Sequence, residues 1–291
     1  AALFRRDVSP AQNEYVMAMT PDREATEIVR RASHFSMPHA IFLGMPQTVA
    51  LISRIRMSIG ENATGLATPP ATPAGPVYVS DTGQLRWDVT NPTAGVFTVN
   101  TPRTRVFSGF GSGKRVQLGD VAITTGSTRL NWSTIGVTLL EGNSFTGATP
   151  ARALIVATGQ YANSNWKWKN ANHNGLSTWG GAPFLVEVVS GEVELPVSAS
   201  RVRAWALSGA GLRTWPIPVT DKAGRAVLSL GTVGNTLWYE AQISPTPYSN
   251  QVPVLTPVGN KNATAGQPIR ITVQGADADN QPLEYSATSG M

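Results

Sequence analysis

The chain has no cysteine in 291 residues, which removes disulfides, thiolate metal sites and cysteine nucleophiles together. Charge is scarce. Asp, Glu, Lys and Arg make up 14% of the residues against about 25% in an average globular chain, which excludes a coiled coil, a helical bundle and a charge-rich disordered chain. Histidine occurs only at 34, 39 and 173, and His34 and His39 are separated by Pro38; metal-ligand spacing is absent. No apolar run approaches the ~20 residues that a membrane-spanning helix needs. A basic stripe is missing too. The net charge of +5 arises from residues scattered singly or in pairs such as Arg5-Arg6, Arg30-Arg31 and Lys114-Arg115, so no nucleic-acid partner is expected.

What the chain does have is 28 Gly and 21 Pro, punctuating short runs of Val, Thr, Leu, Tyr and Trp. Strands are predicted near 77–80, 84–87, 96–99, 104–108, 115–118, 121–123, 134–140, 152–160, 184–188, 192–195, 201–208, 213–219, 225–230 and 236–243. Such regular spacing predicts a mainly β fold, with a β-sandwich of jelly-roll or Ig-like type over 77–245. Ser80-Asp-Thr-Gly83 and Asp221-Lys-Ala-Gly224 supply turn chemistry. Residues 1–60 differ in kind. Ala25, Ile28, Val29 and Ala32 share one helical face behind Pro21, predicting a helix over 22–32, while 48–59 reads equally as helix or strand. Residues 61–76, with prolines at 69, 70, 73 and 76, read as a linker. In 246–291, Ile269, Ile271 and Val273 alternate with Arg270 and Thr272 as in a half-buried strand. That stretch is too short for a whole Ig sandwich of about 100 residues, so a partial Ig-like unit is expected, and the chain reads as a piece of a longer protein.

Several segments carry a resemblance. Val96-Phe-Thr-Val-Asn-Thr-Pro-Arg-Thr-Arg-Val-Phe-Ser-Gly-Phe, Val116-Gln-Leu-Gly-Asp-Val-Ala-Ile, Ala157-Thr-Gly-Gln-Tyr-Ala-Asn-Ser, Trp179-Gly-Gly-Ala-Pro-Phe-Leu-Val-Glu-Val, Arg201-Val-Arg-Ala-Trp-Ala-Leu and Thr236-Leu-Trp-Tyr-Glu are similar to the region after the (β/α)-barrel of certain bacterial glycoside hydrolases. Leu3-Phe-Arg-Arg-Asp-Val-Ser-Pro resembles the peptide that joins such a barrel to its sandwich. Asn250-Gln-Val-Pro-Val-Leu and Gly275-Ala-Asp-Ala-Asp-Asn-Gln-Pro-Leu-Glu-Tyr resemble the opening of cadherin-like or Ig-like repeats. The resemblance implies a non-catalytic accessory region, residues 1–60 being the tail of a catalytic barrel. It further implies an extracellular or periplasmic bacterial protein and a polysaccharide or oligosaccharide partner. The catalytic carboxylates would lie on barrel strands upstream.

Candidate chemistry centres on Trp166-Lys-Trp168 and Trp179, set in the Gly- and Asn-rich stretch 161–181. Exposed indole faces stack on the C–H faces of pyranose rings, and Asn170 and His173 would bond hydroxyls beside them. The competing role is packing, since tryptophan usually buries a large apolar area. Trp87, Trp132, Trp205, Trp215 and Trp238 follow strand patterns and are expected in the core. Glycoside cleavage needs a carboxyl pair; Glu187, Glu192, Glu194, Glu240, Asp88 and Asp120 are the candidates. Glu192 and Glu194, ~7 Å apart along one strand, look like a solvated edge pair, and no catalytic residue is assigned. Gly109-Phe-Gly-Ser-Gly-Lys114 lacks phosphate-loop spacing and is expected to be a hairpin turn. Asp277, Asp279, Asn280 and Glu284 offer oxygens to calcium, an ordinary polar turn being the competing reading. No other cofactor is expected.

Overall fold

The computed structural model describes residues 5–23, 25, 45–66, 68–172, 174–249, 253–277 and 283–286. Near the start, β1 (Glu14–Met19) and β2 (Arg54–Ile59) pair in parallel. Parallel neighbours need a long crossover, usually helical, and residues 21–23 and 25 are helical. The rest of the helix expected over 22–32 lies outside the described residues. The ambiguous 48–59 stretch resolves into both alternatives, a 3-10 turn at Gln47–Leu51 followed by β2. Met17, Met19, Met45 and Val49 form a small core beneath this pair.

After residue 76, β3 (Val77–Val79), β4 (Leu85–Asp88), β5 (Val96–Asn100) and β6 (Thr104–Phe110) form an antiparallel meander. The chain crosses to a second sheet for β7 (Arg115–Leu118) and β8 (Val121–Thr125), then returns for β9 (Trp132–Glu141) and β10 (Ala151–Thr158). It next leaves both sheets as an arm made of β11 (Tyr161–Ser164), β12 (Lys167–Trp168), β13 (Leu176–Thr178) and β14 (Gly181–Val186). The remaining strands are β15 (Gly191–Leu195), β16 (Val202–Leu207), β17 (Arg213–Ile217), β18 (Val219–Lys222), β19 (Arg225–Leu230) and β20 (Trp238–Ile243). One sheet holds nine strands in the order β17-β16-β20-β10-β9-β6-β5-β4-β3; the other holds five, β18-β19-β15-β8-β7. The protein is therefore mainly β, and its centre is a β-sandwich.

Period-two burial builds the core. Ile135, Val137 and Leu139 on β9 alternate with less buried neighbours, and Ala151, Ala153, Ile155 and Ala157 do so on β10. They meet Val193, Leu195, Leu228 and Leu230 of the smaller sheet. Each large aliphatic side chain buried in this way stabilises the fold by about 1.5–3 kcal/mol relative to exposure. Tyr239 is fully buried, but its hydroxyl accepts the Gly231 N–H at 3.0 Å and donates to the Thr236 carbonyl. The turns follow the sequence. Gly83 (φ 70°) donates to the Ser80 carbonyl between β3 and β4, and Ala223 and Gly224 take positive φ between β18 and β19.

Three expectations change. The Gly109–Lys114 segment is no hairpin, because it carries the chain from the large sheet to the small one and is latched by Gly113 N–H to the Thr125 carbonyl at 2.8 Å. Trp87, Trp215 and Trp238 are exposed and Trp132 is only half-buried, leaving Trp205 as the one buried tryptophan of the five, and it lies under Arg213 outside the core between the sheets. Ile269, Ile271 and Val273 are exposed and form no strand; the ladder in that region joins β21 (Val254–Leu255) to β22 (Gly275–Ala276). Among the described residues, no helix is long and apolar enough to cross a membrane.

Candidate functional site

The arm grows from the sandwich where β10 ends and β15 begins. Its base is clasped by Glu187, whose carboxylate accepts the backbone N–H groups of Arg129 at 2.6 Å and Gln160 at 3.0 Å. A side chain at Gly159 would collide with that carboxylate, since its Cβ would stand 2.5 Å from an oxygen. Beyond the clasp β11 pairs with β14, and β12 with β13. Bulges at Asn163/Ser164 and Lys167/Trp168 interrupt the ladders. Bulges bend a ribbon and re-aim its side chains, and here they lie on either side of Trp166. Asn165 adopts φ 63° and Gly180 φ 65°. A Cβ at Gly180 would approach the Ser164 carbonyl to 2.1 Å, so only glycine lets the two strands close.

The structure brings Trp166, Trp168 and Trp179 together. Trp166 meets Trp168 edge-on at 5.3 Å between centroids and Trp179 at 5.5 Å, with interplanar angles of 82° and 87°. Such T-shaped pairs each contribute about 0.5–1.5 kcal/mol beyond area burial. The cluster stands apart from the core between the sheets. Trp166 is the half-buried centre, while Trp168 stays 40% and Trp179 69% exposed. Asn163 Nδ2 donates to the Trp179 carbonyl at 2.9 Å, pinning one strand of the arm to the other. Asn170 donates to Asn174 Oδ1 at 2.6 Å, so its side chain closes the tip of the arm. His173 lies outside the described residues.

Sequence reasoning missed how much more of the arm is apolar and open. Tyr161 and Phe184 are exposed by 77% and 71%, and β14 is exposed along its whole length. Tyr161 sits opposite Val186 and Asn163 opposite Phe184, which puts Tyr161, Phe184 and Val186 on one face of the ribbon. The signal was present in the aromatic spacing of 161 and 184, but the strand pattern concealed it.

The candidate carboxylates are tied into other work. Glu194 is no edge residue: β15 is the middle strand of its sheet, and the carboxylate is buried under a bidentate Arg115 at 2.9 and 2.7 Å, with Lys222 and Arg225 nearby. The Arg115 hydrogen bonds, aided by the surrounding cations, hold its carboxyl below the usual range. Glu240 is buried against Arg213, whose guanidinium also covers Trp205 at 3.9 Å. Asp120 takes Arg105 at 2.8 Å. Asp88, drawn down to about 2 by the Thr90 N–H and hydroxyl and by Arg86, caps a turn. A general acid needs a raised pKa, and the two shifts seen among these groups run downward. For the calcium expectation, Asp279 and Asn280 lie outside the described residues, and no group of three or more His, Cys, Asp or Glu that could hold a metal occurs among those described.

The class that fold and site define is a two-sheet β-sandwich carrying an aromatic arm. Comparison with protein-family models, curated proteins and solved structures returned no match.

Proposed function

We propose that this chain is a non-catalytic accessory region of a secreted bacterial glycoside hydrolase, in which the sandwich braces the catalytic barrel and the arm contacts polysaccharide. The observation that carries the reading is the tryptophan cluster held on an exposed arm outside the core. Large apolar rings in that position cost solvation free energy unless something covers them. Rings with open faces and hydrogen-bonding edges suit a pyranose chain. The parallel pairing of β1 with β2 supports the barrel-tail part. It is the arrangement of a βαβ unit, and among the described residues neither strand joins a third. The resemblance of the 250–255 and 275–285 segments to the opening of cadherin-like or Ig-like repeats is in keeping with a modular enzyme.

A stand-alone carbohydrate-binding module is the second reading, and the same arm favours it. Affinity electrophoresis of residues 1–291 through gels containing different polysaccharides, beside reducing-sugar assays, tests the proposal. Retardation on at least one glycan without turnover is expected. Turnover abolished by one Glu or Asp substitution would overturn the non-catalytic assignment, and free migration through every gel would overturn glycan contact.

A further inference from the structure

We propose a second ligand site, for one ring of a neutral saccharide, in the cavity of about 380 Å³ lined by Ala50, Leu51, Tyr78, Leu85, Trp87 and Phe97. It stands apart from the arm and holds whether or not the arm retains glycan. Strand register builds its floor. Tyr78 lies opposite Trp87, Trp87 opposite Phe97, Phe97 opposite Ser108 and Ser108 opposite Thr134. Directly opposed residues share a face, so three aromatic rings and two hydroxyls run across the sheet in one row. This is the face away from the core, because Thr98 and Phe107, one position on, are buried.

Tyr78 and Trp87 stand 6.1 Å apart at 35°. Trp87 is 39% and Phe97 36% exposed although Ala50 and Leu51 of the 3-10 turn wall the cavity from the other side. The volume falls within the range of small-molecule pockets, which favour junctions between structural units; here the junction is between the parallel pair and the sandwich.

Polar chemistry selects the ligand. The Tyr78 hydroxyl and the Trp87 indole N–H bond to no group among the described residues. Ser108 Oγ and Thr134 Oγ1, farther along the same row and outside the cavity lining, bond each other at 2.7 Å. None of the lining side chains is charged. Arg86 and Asp88, on the opposite face of β4, bond one another at 2.8 Å. Aromatic faces bordered by uncharged donors match a ring with apolar C–H faces and hydroxyl edges, and they disfavour an ion.

The test uses the full chain, ¹⁵N-labelled, with the Trp87 indole N–H resonance assigned through Trp87→Phe. Neutral cello-, xylo-, manno-, malto- and chito-oligosaccharides are titrated to millimolar concentration. With at least one, the Trp87 resonance is expected to shift saturably in the wild type and in Trp179→Ala. Phe97→Ala should weaken that binding about tenfold, equivalent to ~1.4 kcal/mol and comparable to one stacking contact. Leu51→Trp, which fills the cavity from the 3-10 turn and leaves the residues of the aromatic row unchanged, should abolish it. A Trp87 resonance unmoved by every oligosaccharide overturns the proposal, as does one that responds to cyclohexanol alone. A shift that survives Phe97→Ala and Leu51→Trp unchanged also overturns it.

Discussion

Among the tryptophans, identical residues in similar strand patterns meet opposite fates. Trp205 is 4% exposed beneath the Arg213 guanidinium, whereas Trp215, directly across the ladder from Ala206, is open to solvent. Replacing Trp205 by alanine should therefore destabilise the fold by about 3–5 kcal/mol, as emptying a large aromatic site usually does. Trp215→Ala should cost about 1 kcal/mol or less. Chemical denaturation of both variants checks the contrast. Glu194 gives a pH signature. Its carboxyl is depressed in the folded state, so its stabilisation is full above the unfolded value of about 4.3 and drains away as pH falls through the lower native value. Glu194→Gln should lose about 1–3 kcal/mol at neutral pH, less than for a fully buried pair because Arg115 is partly exposed. The loss should shrink in acid. Urea melts from pH 7 to pH 3 would show the two curves converging, and a constant offset would contradict the assigned role.

The elements themselves were largely readable. Strands expected near 134–140, 152–160 and 225–230 appear as Trp132–Glu141, Ala151–Thr158 and Arg225–Leu230, because alternation fixes which face turns inward. The arm was readable only in part. Its aromatic and asparagine content marked it as unusual, but the bulges that gather Trp166, Trp168 and Trp179 depend on pairing across the ribbon. Nothing local in the sequence specifies that pairing. Gly180 makes the dependence testable. With Ser164 and Trp166 pressed against it, Gly180→Ala should break the ring contacts while leaving the sandwich intact. Near-ultraviolet circular dichroism should lose tryptophan signal, with little change in the thermal midpoint. An unchanged spectrum would mean that the cluster does not need the tight crossing.

For the whole molecule, regular strand spacing disclosed a sandwich but not how its strands divide. Nine strands face five, so the large sheet has more strands than the small one can cover. Strand-like residues on the inner face near its margins therefore remain open: Trp215 on β17, opposite the buried Ala206, is the example, whereas Trp87 on β4 is open because its row lies on the outer face. The mistaken core assignment follows from that mismatch for Trp215 and from the choice of face for Trp87, and no period in the sequence records either. The parallel β1–β2 pair was hidden for a related reason, since its two strands meet across a long crossover.

The most direct test of the central claim compares wild type, Trp168→Ala, Trp179→Ala and the double variant by affinity electrophoresis on a polysaccharide that retards the parent, with thermal melts run in parallel. If the arm is the glycan contact, each single change should weaken retention about 5–30-fold, equivalent to ~1–2 kcal/mol of lost ring contact. The double change should abolish retention, and every melting midpoint should stay within a few degrees of the parent. Full retention by the double variant, or loss of retention only in step with a large fall in the melting midpoint, would contradict the account.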